Sequence, residues 1–152
     1  MHFLRMIKFS HTVFALPFAL AAVATVHLRH TPLTPGKGLL IVIAFTAMRS
    51  FAMAFNRLAD HQVDAKNART AVRELPAGKL SRRAVWAFAV LSLGLLVWVA
   101  WRLDPLAAYC ALPTAIIVAS YSFAKRFTWL CHYWLGAAIG LAPMAVFVAL
   151  LG

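Results

Sequence analysis

The chain has 152 residues, of which 63% are hydrophobic and only 12% are charged, and its formal net charge is +11. Soluble domains have roughly 45–50% apolar and about 25% charged residues, and a domain this small leaves much of its surface in contact with water. The composition therefore excludes an ordinary soluble fold and indicates a lipid bilayer as the surrounding solvent. The charge does not indicate nucleic acid, because the basic residues lie in clusters between apolar segments and not along one face.

Five apolar segments follow one another along the chain, at 12–28, 39–55, 85–101, 106–124 and 133–151. Each is close to the ~17–25 residues that a helix needs to cross the hydrocarbon core. In lipid, the backbone groups of a single segment are satisfied only if that segment is helical. The sequence therefore predicts an all-α integral membrane bundle with five transmembrane helices.

The basic residues predict how these helices are oriented. Eleven of the 15 lysines and arginines lie before the first segment, within 56–83, or at Lys125 and Arg126. Because successive helices alternate in direction, these three places share one side of the membrane. Loops rich in lysine and arginine remain in the cytoplasm, so the N-terminus and residues 56–83 are expected there.

Residues 56–78, NRLADHQVDAKNARTAVRELPAG, contain three of the chain's four acidic residues. If the second helix continues past Phe55, then Asn56, Asp60 and Asp64 lie on one face at intervals of four residues. The two carboxylates would be roughly 5–6 Å apart and would repel each other. A hard divalent cation relieves this repulsion, and Mg²⁺ typically binds one or two carboxylates together with substrate phosphates.

The neighbouring cations support two interpretations of this motif. The aspartates could pair at the membrane surface with Arg57, Lys66 or Arg69, in contacts that contribute little to stability. Alternatively, metal-binding carboxylates beside several cations suit a polyanion such as diphosphate. The basic residues that favour this second interpretation are Arg69, Arg73 and Lys79 in the same segment, with Lys125 and Arg126 after the fourth apolar segment.

Arg49 lies within the second apolar segment, about two turns before Asn56 and on the same predicted face. A charged residue inside a membrane span is costly and usually marks a functional interior position. The alternative is that its long side chain reaches back to the headgroups.

Three stretches together resemble one family of proteins. NRLADHQVDAKNARTAVRELPAG closely resembles the first aspartate-rich motif of the UbiA superfamily of intramembrane aromatic prenyltransferases. KFSHTVFALPFAL, from residue 8, looks like the first helix of the members in quinone biosynthesis, and YSFAKRFTWLCHYWLGAAIGLAP, from residue 121, looks like their junction of the fourth and fifth helices. The resemblance covers nearly the whole chain, in order.

The resemblance implies a bundle of nine transmembrane helices around a cavity, with residues 1–152 forming the N-terminal portion of a single prenyltransferase domain. It also implies that a polyprenyl diphosphate binds through Mg²⁺ and that its prenyl group alkylates an aromatic acceptor. The implied metal-binding residues are Asn56, Asp60 and Asp64. The implied diphosphate contacts are Arg69, Arg73, Lys125 and Arg126, and Tyr121 would lie near the reacting end of the prenyl chain.

The same stretches look like bacterial enzymes of ubiquinone or menaquinone synthesis, which implies the inner (cytoplasmic) membrane as the location. The acceptor would be 4-hydroxybenzoate or a dihydroxynaphthoate. Both carry a carboxylate, which Arg49 or Lys8 could receive. His11 would either face the mouth of the cavity or anchor the first helix at the membrane surface.

The sequence departs from the family in one respect. The family's second aspartate-rich motif lies in the second half of the fold, whereas this chain has no acidic residue after Asp104. We therefore expect the chain to be a fragment of a longer protein or a truncated gene product, inactive by itself. The alternative from another functional class is a non-catalytic membrane subunit or a transporter component.

Overall fold

The computed structural model describes Met6 and residues 12–30 and 32–152, and this part of the chain is helical without strands. The five helices are α1 (Thr12–Arg29), α2 (Pro35–Lys66), α3 (Arg82–Leu103), α4 (Pro105–Phe127) and α5 (Cys131–Leu151). Helices α2 to α5 are long and apolar enough to cross a membrane, while α1 contributes a shorter apolar helix over Pro17–Arg29. The predicted all-α architecture and its five helices are confirmed.

The helix ends follow from capping residues in the sequence. Helix α3 begins after Ser81, whose Oγ accepts a hydrogen bond from the Ala84 amide at 3.1 Å. Helix α4 begins after Asp104, whose carboxylate accepts from the Leu106 amide at 2.7 Å. Pro105 occupies the first position of α4, where a missing amide proton has no cost.

Helix α2 continues without a break to Lys66, eleven positions beyond the apolar segment that ends at Phe55. It therefore carries Asn56, Asp60 and Asp64 on one rigid element, as predicted. It also packs against α1, α3 and α4.

The most extensive helix packing joins α2 to α3 and includes buried alanines. Ala54 of α2 is fully buried, and Ala89 of α3 is 1% exposed in the same apolar cluster as Leu58 and Val85. Small side chains let two helix backbones approach closely. This packing fixes the C-terminal part of α2 against the start of α3.

Residues 67–81, the connecting segment between α2 and α3, fold back onto the end of α2. The Thr70 hydroxyl donates to the carbonyl oxygen of Asp64 at 2.9 Å. Leu75 is buried against the cluster that contains Leu58. Gly78 has a φ of 69°, in the left-handed region that glycine adopts without steric cost. The segment thereby brings its basic residues close to the aspartates of α2.

Candidate functional site

The Asp60 carboxylate joins α2 to α4. It is 8% exposed, and its Oδ2 forms an ion pair with Lys125 Nζ. Arg126 Nη2 lies 3.5 Å from Asp60 Oδ1 and also donates to the carbonyl oxygen of Ala59. A buried carboxylate without a partner would be strongly destabilising, so these two cations help to hold α4 against α2.

Asn56, one turn before Asp60, shares the same cation. Its Oδ1 accepts hydrogen bonds from Lys125 Nζ at 2.7 Å and from Ser122 Oγ at 3.2 Å. Ser122 is 1% exposed. The sequence analysis missed Ser122, although its position three residues before Lys125, on the same face of α4, was an available signal.

The Asp64 carboxylate, 6% exposed, is bound from the connecting segment. Arg73 Nη1 donates to Oδ1 at 2.7 Å and to Oδ2 at 2.6 Å. Arg57 Nη1 lies 4.0 Å from Oδ2. Of the three surface partners considered from the sequence, Arg57 is the one that forms an ion pair with an aspartate within the described residues.

Arg57 is more deeply buried than a surface partner would be. Its exposed fraction is 5%, and its Nε has no hydrogen-bond partner within the part of the chain that the structure describes. The buried His61 Nδ1, one turn later, is in the same situation. The sequence analysis considered Arg57 only as a surface partner of the aspartates and did not predict its burial.

The site has a surplus of positive charge. Two carboxylates, those of Asp60 and Asp64, are in ion pairs with four cations from three parts of the chain: Arg57, Arg73, Lys125 and Arg126. In a partly buried site the field of the uncompensated cations is poorly screened by water. The arrangement is therefore suited to attract a further anion.

The remaining candidate residues differ in how closely they approach this cluster. Tyr121 is half-buried, with Lys125 Nζ 5.9 Å from the centre of its ring, within the range of a cation–π contact. Arg49 is half-buried on α2. Arg69 is exposed, and its guanidinium makes no ion pair with the acidic residues described here. Lys8 and His11 lie outside the described residues.

The oxygen atoms of Asn56, Asp60 and Asp64 fit a hard cation in chemical type. An amide oxygen and two carboxylates on successive turns are the ligands that Mg²⁺ accepts, with water and substrate supplying the rest. Within residues 12–30 and 32–152, no group of three or more histidine, cysteine or acidic side chains forms a complete metal site. The three side chains would supply only part of a coordination sphere, and in this structure their oxygens accept hydrogen bonds from lysine and arginine.

Arg73→Gln tests whether the pairing with Asp64 holds the connecting segment in place. We expect amide hydrogen exchange in the segment to increase by roughly ten- to a hundredfold, since hydrogen bonds to charged groups contribute about 1.5–3 kcal/mol. Hydrogen exchange with mass spectrometry on the ligand-free protein measures this change. The matched control is Arg69→Gln, which removes an exposed arginine from the same segment. Equal exchange in both variants would contradict the role given to Arg73.

Comparison with known sequences identifies a protein family that matches this chain. The model of the UbiA prenyltransferase family matches residues 13–152. A 4-hydroxybenzoate octaprenyltransferase from Methylococcus capsulatus is 34% identical over 122 residues, which cover 78% of this chain and 40% of that enzyme. The chain therefore spans about two-fifths of the length of this curated relative.

Solved structures with a similar fold are also UbiA homologs. A UbiA homolog from Aeropyrum pernix, in its apo form, superposes with a TM-score of 0.86 at 31% identity, covering 94% of this chain and 51% of that one. A UbiA homolog from Archaeoglobus fulgidus, bound to GPP and Mg²⁺, shares the fold with a TM-score of 0.71 at 20% identity, covering 98% of this chain and 60% of that one. Because the family model matches nearly the whole chain and a homolog above 30% identity has the same helical arrangement, this integral membrane protein belongs to the UbiA prenyltransferase family.

Proposed function

We propose that this chain forms the N-terminal part of an enzyme that transfers a polyprenyl group from a prenyl diphosphate to 4-hydroxybenzoate. The observation that carries the proposal is the pair of buried carboxylates in ion pairs with four cations, because such a site combines oxygen atoms that could bind a metal with a surplus of positive charge. The name of the Methylococcus capsulatus relative supports the acceptor. A dihydroxynaphthoate is the second acceptor to be tested.

The diphosphate would be bound by cations that now pair with the aspartates. Arg73, Lys125 and Arg126 lie at the surface of the cluster and are less buried than the carboxylates they contact. Phosphate oxygens form strong charge-assisted hydrogen bonds with such groups. Arg69, exposed in the connecting segment, would add a contact from the solvent side.

Asn56, Asp60 and Asp64 would hold Mg²⁺, which would supply further positive charge for neutralising the diphosphate. These oxygens become available as the cations turn towards the phosphate groups. The same residues would therefore adopt two arrangements: carboxylates paired with cations as in the structure described above, and both sets of groups facing the ligand when a diphosphate is bound.

The reaction breaks the bond between the allylic carbon and the diphosphate oxygen, and the diphosphate leaves with the electron pair. The allylic carbon then bonds to a carbon of the aromatic ring, which loses its proton. Lys125 and Arg126 would stabilise the negative charge that develops on the leaving diphosphate. Tyr121, whose ring lies beside Lys125, would contact the prenyl chain near its reacting end, where an apolar environment keeps water from the allylic cation.

The carboxylate of the acceptor would be received by a cation deeper in the bundle. Arg49 lies on α2, seven residues before Asn56, and is half-buried. Lys8, near the start of the chain, is a further candidate, while His11 would face the mouth of the cavity or anchor the first helix at the membrane surface. An arginine fork matches the geometry of a carboxylate, so Arg49 is the residue we assign to this role.

The complete enzyme would contain nine transmembrane helices, with residues 1–152 in its N-terminal portion and a second aspartate-rich motif in the rest. Activity would need both motifs, so this portion by itself would be inactive. We place the enzyme in the bacterial cytoplasmic membrane. The site would face the cytoplasm, because loops rich in lysine and arginine, such as the connecting segment, remain on that side of the membrane.

Asp60→Asn in the full-length protein tests the metal and diphosphate site. With a polyprenyl diphosphate, Mg²⁺ and 4-hydroxybenzoate in membranes, we expect prenylated product to fall by at least about a hundredfold, the usual effect of removing one preorganised electrostatic group. EDTA should abolish the product of the wild-type protein. The control is Glu74→Gln, which removes one negative charge from the connecting segment and leaves both aspartates in place.

Undiminished product in Asp60→Asn would contradict the proposed site. If product forms with a dihydroxynaphthoate and not with 4-hydroxybenzoate, the proposed metal and diphosphate site stands, but the proposed acceptor is wrong.

Arg49→Gln tests the acceptor site. We expect the KM for 4-hydroxybenzoate to rise on the order of tenfold or more, because a hydrogen bond to a charged group contributes about 1.5–3 kcal/mol. The KM for the prenyl diphosphate serves as the internal control and should remain unchanged. Both values are measured by steady-state kinetics. If the two KM values rise together, or if neither rises, Arg49 does not bind the acceptor's carboxylate.

A further inference from the structure

A furrow runs between α3 and α4 along one face of the described helices, and α2 lines part of it. Two open apolar cavities, of about 350 and 530 Å³, form it and have Leu93 and Leu112 in common. The end nearer the connecting segment is lined by Phe55 and Phe123, and the far end by Trp101.

The furrow is separate from the site built around Asp60. Phe123 lines the furrow, whereas Tyr121, two residues earlier, lies beside Lys125 in the site. Two residues turn an α-helix by about 200°. The furrow therefore lies on a different face of α4 from Tyr121 and Lys125, and Arg126 of the site borders it, with its guanidinium carbon 5.8 Å from the centre of the Phe123 ring.

The dimensions of the furrow suit one hydrocarbon chain. From Phe123 to Leu112, α4 rises by about 16 Å, close to half of the roughly 30 Å hydrocarbon core. Gly94 lines the far part of the furrow, and a Cβ added there would meet no atom within 4 Å. The furrow is thus open where a side chain would otherwise fill it.

The end of the furrow nearer Asp60 is basic. Arg83, Trp86, Val90 and Gly94 follow one another on α3 at spacings of three or four residues, which places them along one face. Arg83 and its neighbour Arg82 are exposed at the first turn of α3. Trp86 packs edge-to-face on Phe55, with ring centres 6.1 Å apart, and such aromatic residues mark the membrane–water interface.

We propose that this furrow binds an anionic phospholipid, with one acyl chain between α3 and α4 and the phosphate held by Arg82 and Arg83. The apolar lining matches the chain, and the two arginines complement the charge of the headgroup. Each basic residue near an anionic lipid surface contributes about 1 kcal/mol, or roughly a factor of five in affinity. The proposal depends on membrane insertion and not on prenyl transfer.

Lipid binding to the full-length protein in detergent tests this proposal, with native mass spectrometry counting the bound molecules of phosphatidylglycerol and phosphatidylcholine. We expect one tightly bound phosphatidylglycerol and a preference over phosphatidylcholine on the order of tenfold or more. The double variant Arg82→Gln/Arg83→Gln should lose the preference and retain weak binding of both lipids. This variant alters exposed positions only, so the fold is preserved.

Filling the furrow provides the second arm of the test. Gly94→Trp should weaken binding of both lipids by about tenfold or more, since each methylene of a lipid chain displaced from the furrow lowers the affinity by roughly a factor of four. The matched control, Leu95→Trp, enlarges the adjacent residue, which is 43% exposed and lies outside the furrow, and should bind lipid as the wild type does.

Equal binding of the two lipids by the wild type would overturn the proposal, as would normal binding by Gly94→Trp. Absence of lipid from the wild type, with a change in oligomeric state in Gly94→Trp, would instead identify a second copy of the chain as the occupant. Prenyl transfer can succeed or fail independently of each of these results.

Discussion

The burial of two negative charges at the end of α2 is the constraint on which the rest of the site depends. Removing Asp60 and Asp64 from water costs several kcal/mol for each ion, and only well-placed cations and hydrogen bonds recover it. Lys125 and Arg126 meet this requirement from α4, and Arg73 meets it from the connecting segment. The contacts therefore join the end of α2 both to the connecting segment, nine residues along the chain, and to the end of α4, 65 residues away.

The same constraint leads to the proposed chemistry. In the proposed function, the buried aspartates that pair with lysine and arginine would exchange these partners for a metal ion when an anionic ligand binds the same cations. The surplus of cations over carboxylates makes this exchange favourable only for a ligand with several negative charges. A diphosphate carries several negative charges, whereas a carboxylate carries only one. The alternative of a non-catalytic subunit provides no reason for gathering so many cations around buried acids.

Much of the fold could be predicted because a bilayer sets the length of each apolar segment, and Ser81 and Pro105 mark where two helices begin. The shared face of Asn56, Asp60 and Asp64 followed from helical periodicity alone. The pairing of Asp60 with Lys125 could not be predicted in the same way, since it depends on the rotation and depth of α4 relative to α2. The burial of Arg57 was missed for a related reason: the connecting segment folds back and packs Leu75 against Leu58, which turns an apparent surface position into an interior one.

The measurement that tests the central claim most directly is the linkage between Mg²⁺ and inorganic diphosphate binding to the full-length protein, measured by isothermal titration calorimetry. If Lys125, Arg126 and Arg73 leave the aspartates for the diphosphate, each ligand should raise the affinity of the other by about tenfold, within the usual range of coupling between sites. The linkage should disappear in a variant that lacks the Asp60 carboxylate. Independent binding of Mg²⁺ and diphosphate would contradict the claim that one set of ion pairs prepares the site for both.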